Sequence, residues 1–165
     1  MTKRRIIIYW LIPAAKYREL FVRLIDILAV EFDAPRFEPH LTLCCGHDVK
    51  TLRKLKARPV RLRVCDISYS SKFTKTLFVR FATNGSLNNL IADLSGKSRS
   101  LRDPHISLLY KRLPNRLKQE LAATIRLPFR EVIFDSIKAV QCHSPTETGL
   151  DVENWRVIAS KRLSG

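Results

Sequence analysis

Acidic residues are scarce in this chain: 15 Asp and Glu stand against 30 Lys and Arg, leaving a formal charge of +15. The imbalance favours a polyanionic partner or substrate through long-range attraction, although a solvated basic face gives the same sum and charge alone selects no reaction. Long hydrophobic runs are missing as well. The longest near the start, residues 6–15, is interrupted by Pro13, is too short to span a bilayer and lacks the cleavage pattern of a secretory signal. A buried first strand is expected there, and no membrane association. Cysteine occurs only at positions 44, 45, 65 and 142, in no zinc-ligand spacing. No metal site is therefore expected, and reduced thiols in a cytoplasmic protein are the plain reading, with a Cys65–Cys142 bridge as the alternative. No low-complexity segment or long linker divides the 165 residues, so one domain over 1–165 is expected.

What is present alternates between strand and helix signals. Residues 6–12 read as a strand stopped by Pro13, and 17–32 as a helix with Leu20, Leu24, Ile27 and Leu28 at helical spacing. A strand at 40–45 and a short basic helix at 49–57 follow. Alternating runs at 59–68 and 76–83 predict two strands, and Asn84-Gly85 a turn with Ser86 as cap of a helix to Leu94. A basic loop at 96–103 leads to another strand, a helix from Pro114-Asn115 to 125, and two final strands at 133–142 and 152–160. The order divides into two similar halves and predicts an α+β fold of two mainly antiparallel sheets with helices on their outer faces and a cleft between them.

One short phrase occurs in each half: Pro39-His40-Leu41-Thr42-Leu43 and Pro104-His105-Ile106-Ser107-Leu108. They hold two of only four histidines. On a strand, a histidine and a hydroxyl residue two positions later share a face. Facing strands would bring two imidazoles and two hydroxyls around one phosphate. A lone His-x-Ser/Thr phrase carries almost no information; the duplication, 65 residues apart and entered from a proline both times, reverses that balance. His47 and His143 have no such context and read as solvent-facing.

The paired phrases resemble the two-histidine phosphoesterase superfamily, whose mark is a duplicated His-x-Thr/Ser-x motif in a bilobal, pseudo-symmetric α+β fold. The string Pro104-His105-Ile106-Ser107-Leu108-Leu109-Tyr110 is most similar to the plant and yeast cyclic phosphodiesterase branch. Tyr9-Trp10-Leu11-Ile12-Pro13 is similar to that branch's first strand, and Trp155 lies in a similar late strand. The resemblance implies hydrolysis of a nucleoside 2',3'-cyclic phosphate or ADP-ribose 1'',2''-cyclic phosphate to a phosphomonoester, without metal or cofactor. Relatives acting on 2'-5' linkages make an RNA 2'-5' ligase or phosphodiesterase working on RNA ends the alternative, and a non-catalytic RNA-binding protein a further one.

Opening a cyclic phosphate takes a base for water, an acid for the leaving oxygen and donors for the phosphoryl oxygens. His40 and His105 are the candidate acid-base pair, in either order, and Thr42 and Ser107 the candidate phosphate donors. Candidate substrate contacts are Tyr110, which an unbroken strand turns away from Ser107 and a twist at the strand end would bring to the pocket rim as a base-stacking platform; Tyr9 in the first strand; and Phe73 in a polar loop where an exposed aromatic is expected. A site completed within one chain makes a monomer the default, with no obligate protein partner.

Overall fold

Alternation gives the first strand two different faces. In the computed structural model, which describes residues 2–164, β1 (Arg4–Pro13) turns Ile7, Tyr9 and Leu11 into the main core, while Ile8, Trp10 and Ile12 join a smaller cluster with Val140 and Trp155. The remaining elements are α1 (Ala15–Phe32), β2 (Leu41–Gly46), α2 (Lys50–Lys54), β3 (Val60–Tyr69), β4 (Leu77–Phe81), α3 (Gly85–Ser95), β5 (His105–Leu109), α4 (Asn115–Thr124), β6 (Glu131–Ser144), α5 (Gly149–Glu153) and β7 (Arg156–Arg162). Asn84, not Ser86, caps α3: its side chain accepts a hydrogen bond from the Leu87 amide at 3.0 Å. The strand expected at 152–160 begins only at Arg156, because Thr148 and Asp151 form a reciprocal capping box that starts the short helix α5.

The expectation of two sheets in two lobes is corrected. All seven strands belong to one antiparallel sheet in the order β1-β2-β5-β4-β3-β6-β7, and β1 also pairs with β6. That last pairing closes the order β1-β2-β5-β4-β3-β6 on itself. The cause is the length of β6. Its residues pair with β1 along one edge, while the other edge takes β3 at 131–134 and then β7 at 136–141. On the far side, β2 and β5 meet through one pair, Leu41 opposite Ile106.

The core lies between the sheet and its helices, with Phe21 and Ile25 of α1 and Leu87 and Ile91 of α3 almost fully buried. Tyr9 is wholly inside this core, and its hydroxyl donates to the Asp48 carbonyl at 2.6 Å. The ring lies close over Gly46, where a Cβ would come within 2.5 Å of Tyr9 Cζ. Gly46→Ala is therefore expected to destabilise the protein by about 1–3 kcal/mol, through forced displacement of a packed aromatic. Urea unfolding checks this; a midpoint equal to that of the parent would show that the ring yields freely.

Candidate active site

The Leu41–Ile106 pair determines what faces what. Extending this antiparallel register by one residue each way sets His40 across from Ser107 and Thr42 across from His105. Each histidine thus meets the hydroxyl residue of the other phrase. The neighbouring registers continue the row on the same face: Thr42 is opposite Trp10, Trp10 opposite Lys138, His105 opposite Arg80, and Arg80 opposite Asp66.

His40 is almost fully buried, 5 % exposed, in an aromatic setting. Its ring stacks on Trp10 at 3.7 Å between centroids, and Trp155 meets it edge-on at 5.6 Å. His40 Nδ1 lies 2.6 Å from the Glu38 carbonyl oxygen. A carbonyl can only accept, so Nδ1 carries the proton and Nε2 keeps the free lone pair. His105 repeats the arrangement, with Nδ1 donating to the Asp103 carbonyl at 2.9 Å and Phe78 edge-on at 5.3 Å.

Burial pushes the His40 imidazole down to about 4; the bond to Glu38 opposes this and the charge of His105 adds to it. The reach of the His105 charge to His40 places the two rings in one electrostatic site. Burial also lowers His105, where the Asp103 carbonyl opposes the shift, the Lys75 ammonium reinforces it and the Asp103 carboxylate opposes it. Both histidines are thus poised as neutral bases before an anion arrives.

The two hydroxyls are not equivalent. Thr42 is exposed and lines an open pocket of about 430 Å³ between β2 and residues 95–103, together with His105, His47, Lys97, Arg99 and Arg102. Ser107 is buried and donates to the Thr74 carbonyl at 2.9 Å. Of the candidate donors, Thr42 is immediately available to a ligand, whereas Ser107 has to exchange partners first.

Tyr110, Phe73 and Tyr9 fall in different places. The strand β5 ends at Leu109, which releases Tyr110 from strand parity. Its buried ring packs on Phe37 at 4.2 Å and Trp155 at 5.5 Å, and its phenol lies beside the Ser107 hydroxyl. Burial raises its pKa. Phe73 is half-buried rather than exposed; it stands in a single 3₁₀ turn, Phe73–Lys75, and stacks towards Tyr110 at 6.0 Å. Tyr9 is corrected as a substrate contact: period-2 alternation sends it into the core, and Trp10 takes the cleft face instead. The four cysteines are free thiols.

Two residues of consequence sit just before the phrases. The repeat extends back to Glu38-Pro39-His40 and Asp103-Pro104-His105, so an acidic residue stands two positions before each histidine. That longer repeat is visible in the sequence, and it supplies both carbonyls that fix the imidazole tautomers. Among the described residues, no group of three or more His, Cys, Asp or Glu is placed to share a metal ion. No described helix is long and apolar enough to cross a membrane.

No protein-family model matches the chain. No curated protein matches it either. Solved structures do. The chain is similar to Escherichia coli LigT complexed with ATP, with a TM-score of 0.57 at 14% identity, covering 99% of this chain and 100% of the other. LigT complexed with 3'-AMP gives 0.56 at 15% identity, with coverage of 99% and 100%. The protein TT0787 of Thermus thermophilus gives 0.55 at 16% identity, with coverage of 98% and 99%. The chain therefore has the LigT-like fold over almost its whole length.

Proposed function

We propose that this protein opens 2',3'-cyclic phosphodiesters by metal-independent hydrolysis, acting on RNA ends in preference to free mononucleotides. The observation that carries the reading is the arrangement of two histidines, each with its Nδ1–H donating to a main-chain carbonyl, on two strands whose Leu41–Ile106 register sets each across from the other phrase's hydroxyl. In it, His40 takes the proton from water. Its burial keeps Nε2 unprotonated. His105 is less buried and borders the basic pocket. The arriving phosphate raises its pKa, and it donates to the leaving ribose oxygen. Thr42 stabilises a non-bridging oxygen, and Ser107 does so after leaving the Thr74 carbonyl.

Substrate size separates this reading from a small-molecule cyclic phosphodiesterase. Cys45 and His47 line both the 430 Å³ pocket and an adjoining one of about 610 Å³ that Arg4, Arg5, Gln141 and Ser144 complete. Lys97, Arg99 and Arg102 line one of these neighbouring pockets and Arg4 and Arg5 the other, an arrangement suited to several successive phosphates. The nucleotide ligands of LigT are consistent with a nucleotide at such a site. The Pro104–Tyr110 string supports the smaller substrates of the cyclic phosphodiesterase branch instead.

Turnover of nucleoside 2',3'-cyclic phosphates, ADP-ribose cyclic phosphate and short cyclic-ended RNA, each with and without chelator, decides between them. The RNA is expected to show a kcat/KM at least about 10-fold above the mononucleotide at low salt, an advantage lost at high salt, with no effect of chelator. Equal values across the panel would return the small-substrate reading. Salt-sensitive RNA binding with no turnover of any substrate would make the protein an RNA binder.

A further inference from the structure

The acidic residue before each motif histidine is gripped in both halves by cations from other elements. The Glu38 carboxylate pairs with Lys138 of β6 at 2.5 Å and with Arg18 of α1 at 2.9 Å. The Asp103 carboxylate pairs with Lys75 and lies 4.0 Å from Arg80 of β4, which itself holds Asp66 through two hydrogen bonds of 2.7 and 2.6 Å. The main-chain carbonyls of the same two residues are the acceptors for His40 Nδ1 and His105 Nδ1. The cations come from elements that do not correspond between the halves, yet each set ends on the same atom pair: carboxylate held, carbonyl aimed at an imidazole.

The segments before both histidines, 34–40 and 96–104, lack helix or strand. Neither carbonyl is held by a helix or strand ladder there, and if it turned away, Nδ1 would lose the bond that fixes its proton. Asp103 also holds φ at +59°, a left-handed conformation that, glycine aside, aspartate and asparagine adopt most readily. Glu38 and Lys138 have side chains only 17% and 22% exposed, which sets this pair apart from a loose surface contact. The charged groups about His40 are Glu38 with its partners Lys138 and Arg18, and His105; those about His105 are Asp103, Lys75, Arg80 and the basic residues of the pocket.

We propose that Glu38 and Asp103 are positioning residues, whose clamped carboxylates hold the two main-chain carbonyls that set the tautomer and orientation of the histidine pair. The proposal rests on His40 and His105 being the acid-base pair. Its test reads the rings directly, without turnover. Glu38→Gln and Asp103→Asn keep size and shape, and asparagine tolerates the left-handed backbone at 103. Nitrogen NMR of the imidazoles is expected to show His40 losing its pure Nδ1–H form in E38Q, and His105 in D103N, with the other ring unchanged each time. On cyclic-ended RNA, kcat is expected to fall about 10- to 100-fold with little change in KM, as for a misaligned catalytic group.

Lys138→Met and Lys75→Met approach the same clamps from the cation side and are expected to change the same rings, which keeps the test open if an acid variant folds poorly. Unchanged tautomers in folded variants would overturn the proposal, and would reduce the four cations to solvated surface charge. A tautomer change in a protein whose wild type turns over no cyclic phosphate would leave the positioning intact and sink the proposed activity instead.

Discussion

Replacing His40 by alanine is expected to lower kcat/KM on cyclic-ended RNA by about 10²–10⁴-fold, and replacing His105 to do the same, because each loses a general acid or base. His143 is exposed and lines neither pocket, so His143→Ala is the control and is expected to keep the turnover rate. Thr42→Val is expected to cost about 10- to a few hundred-fold, as for one phosphoryl-oxygen donor. Ser107→Ala should cost less in rate, since that hydroxyl already serves the Thr74 carbonyl, and more in stability. The pH profile gives the roles. A neutral His40 and a protonated His105 confine maximal kcat/KM between a limb at about 4 and one below 6.5, so the optimum is acidic. These limbs belong to the coupled pair. A His40→Ala rate within a factor of about two of the parent would remove the mechanism outright, since general catalysis is worth far more.

Stability is expected to fall as pH drops from 6.5 to about 4, by up to roughly 3 kcal/mol from His40 alone. The sign follows from which state binds the proton. His40 has a depressed pKa in the folded protein, so below pH 6.5 the unfolded chain takes up a proton that the native chain refuses. Full stability is therefore present above 6.5 and is lost on the way down to about 4, below which both states are protonated. His105 is shifted in the same direction and adds to the loss. His40→Phe keeps a ring on Trp10 and cannot titrate; its unfolding free energy between pH 7.5 and 4.5 should be flatter than the parent's by most of that amount. Parallel curves for the two proteins would show that carboxylates, not the buried imidazole, govern acid sensitivity.

The pairing of His40, Thr42, His105 and Ser107 was legible in the sequence because it rests on two local facts, strand alternation and a repeated phrase. Both are short-range, and the Leu41–Ile106 register agrees with them. Tyr110 was not legible: its direction depends on where β5 ends, and an end point is decided by tertiary pairing. Tyr9 and Trp10 face opposite sides in any strand, but which side is cleft depends on what covers each face. The single sheet was hidden for a related reason. Nothing local marks β6 as long enough to serve three partners, and its ends beyond the expected 133–142, at Glu131 and at His143-Ser144, are polar residues that weaken the strand signal. The acidic residues before the prolines were in view, and what they hold becomes apparent only with Lys138 and Lys75 brought in from far along the chain.

The closed strand order has seams of very unequal strength. β1 and β6 pair over ten positions, while β2 and β5 share one. A hoop strained by heat, or by an arriving ligand, opens where it is thinnest, and here that joint runs between the two histidines. The molecule is in this respect a pair of tongs, sprung at β6 and gripping at Thr42 and His105. Substitutions far behind the pocket, along the spring, can therefore alter the spacing of the grip without touching any residue that meets the phosphate.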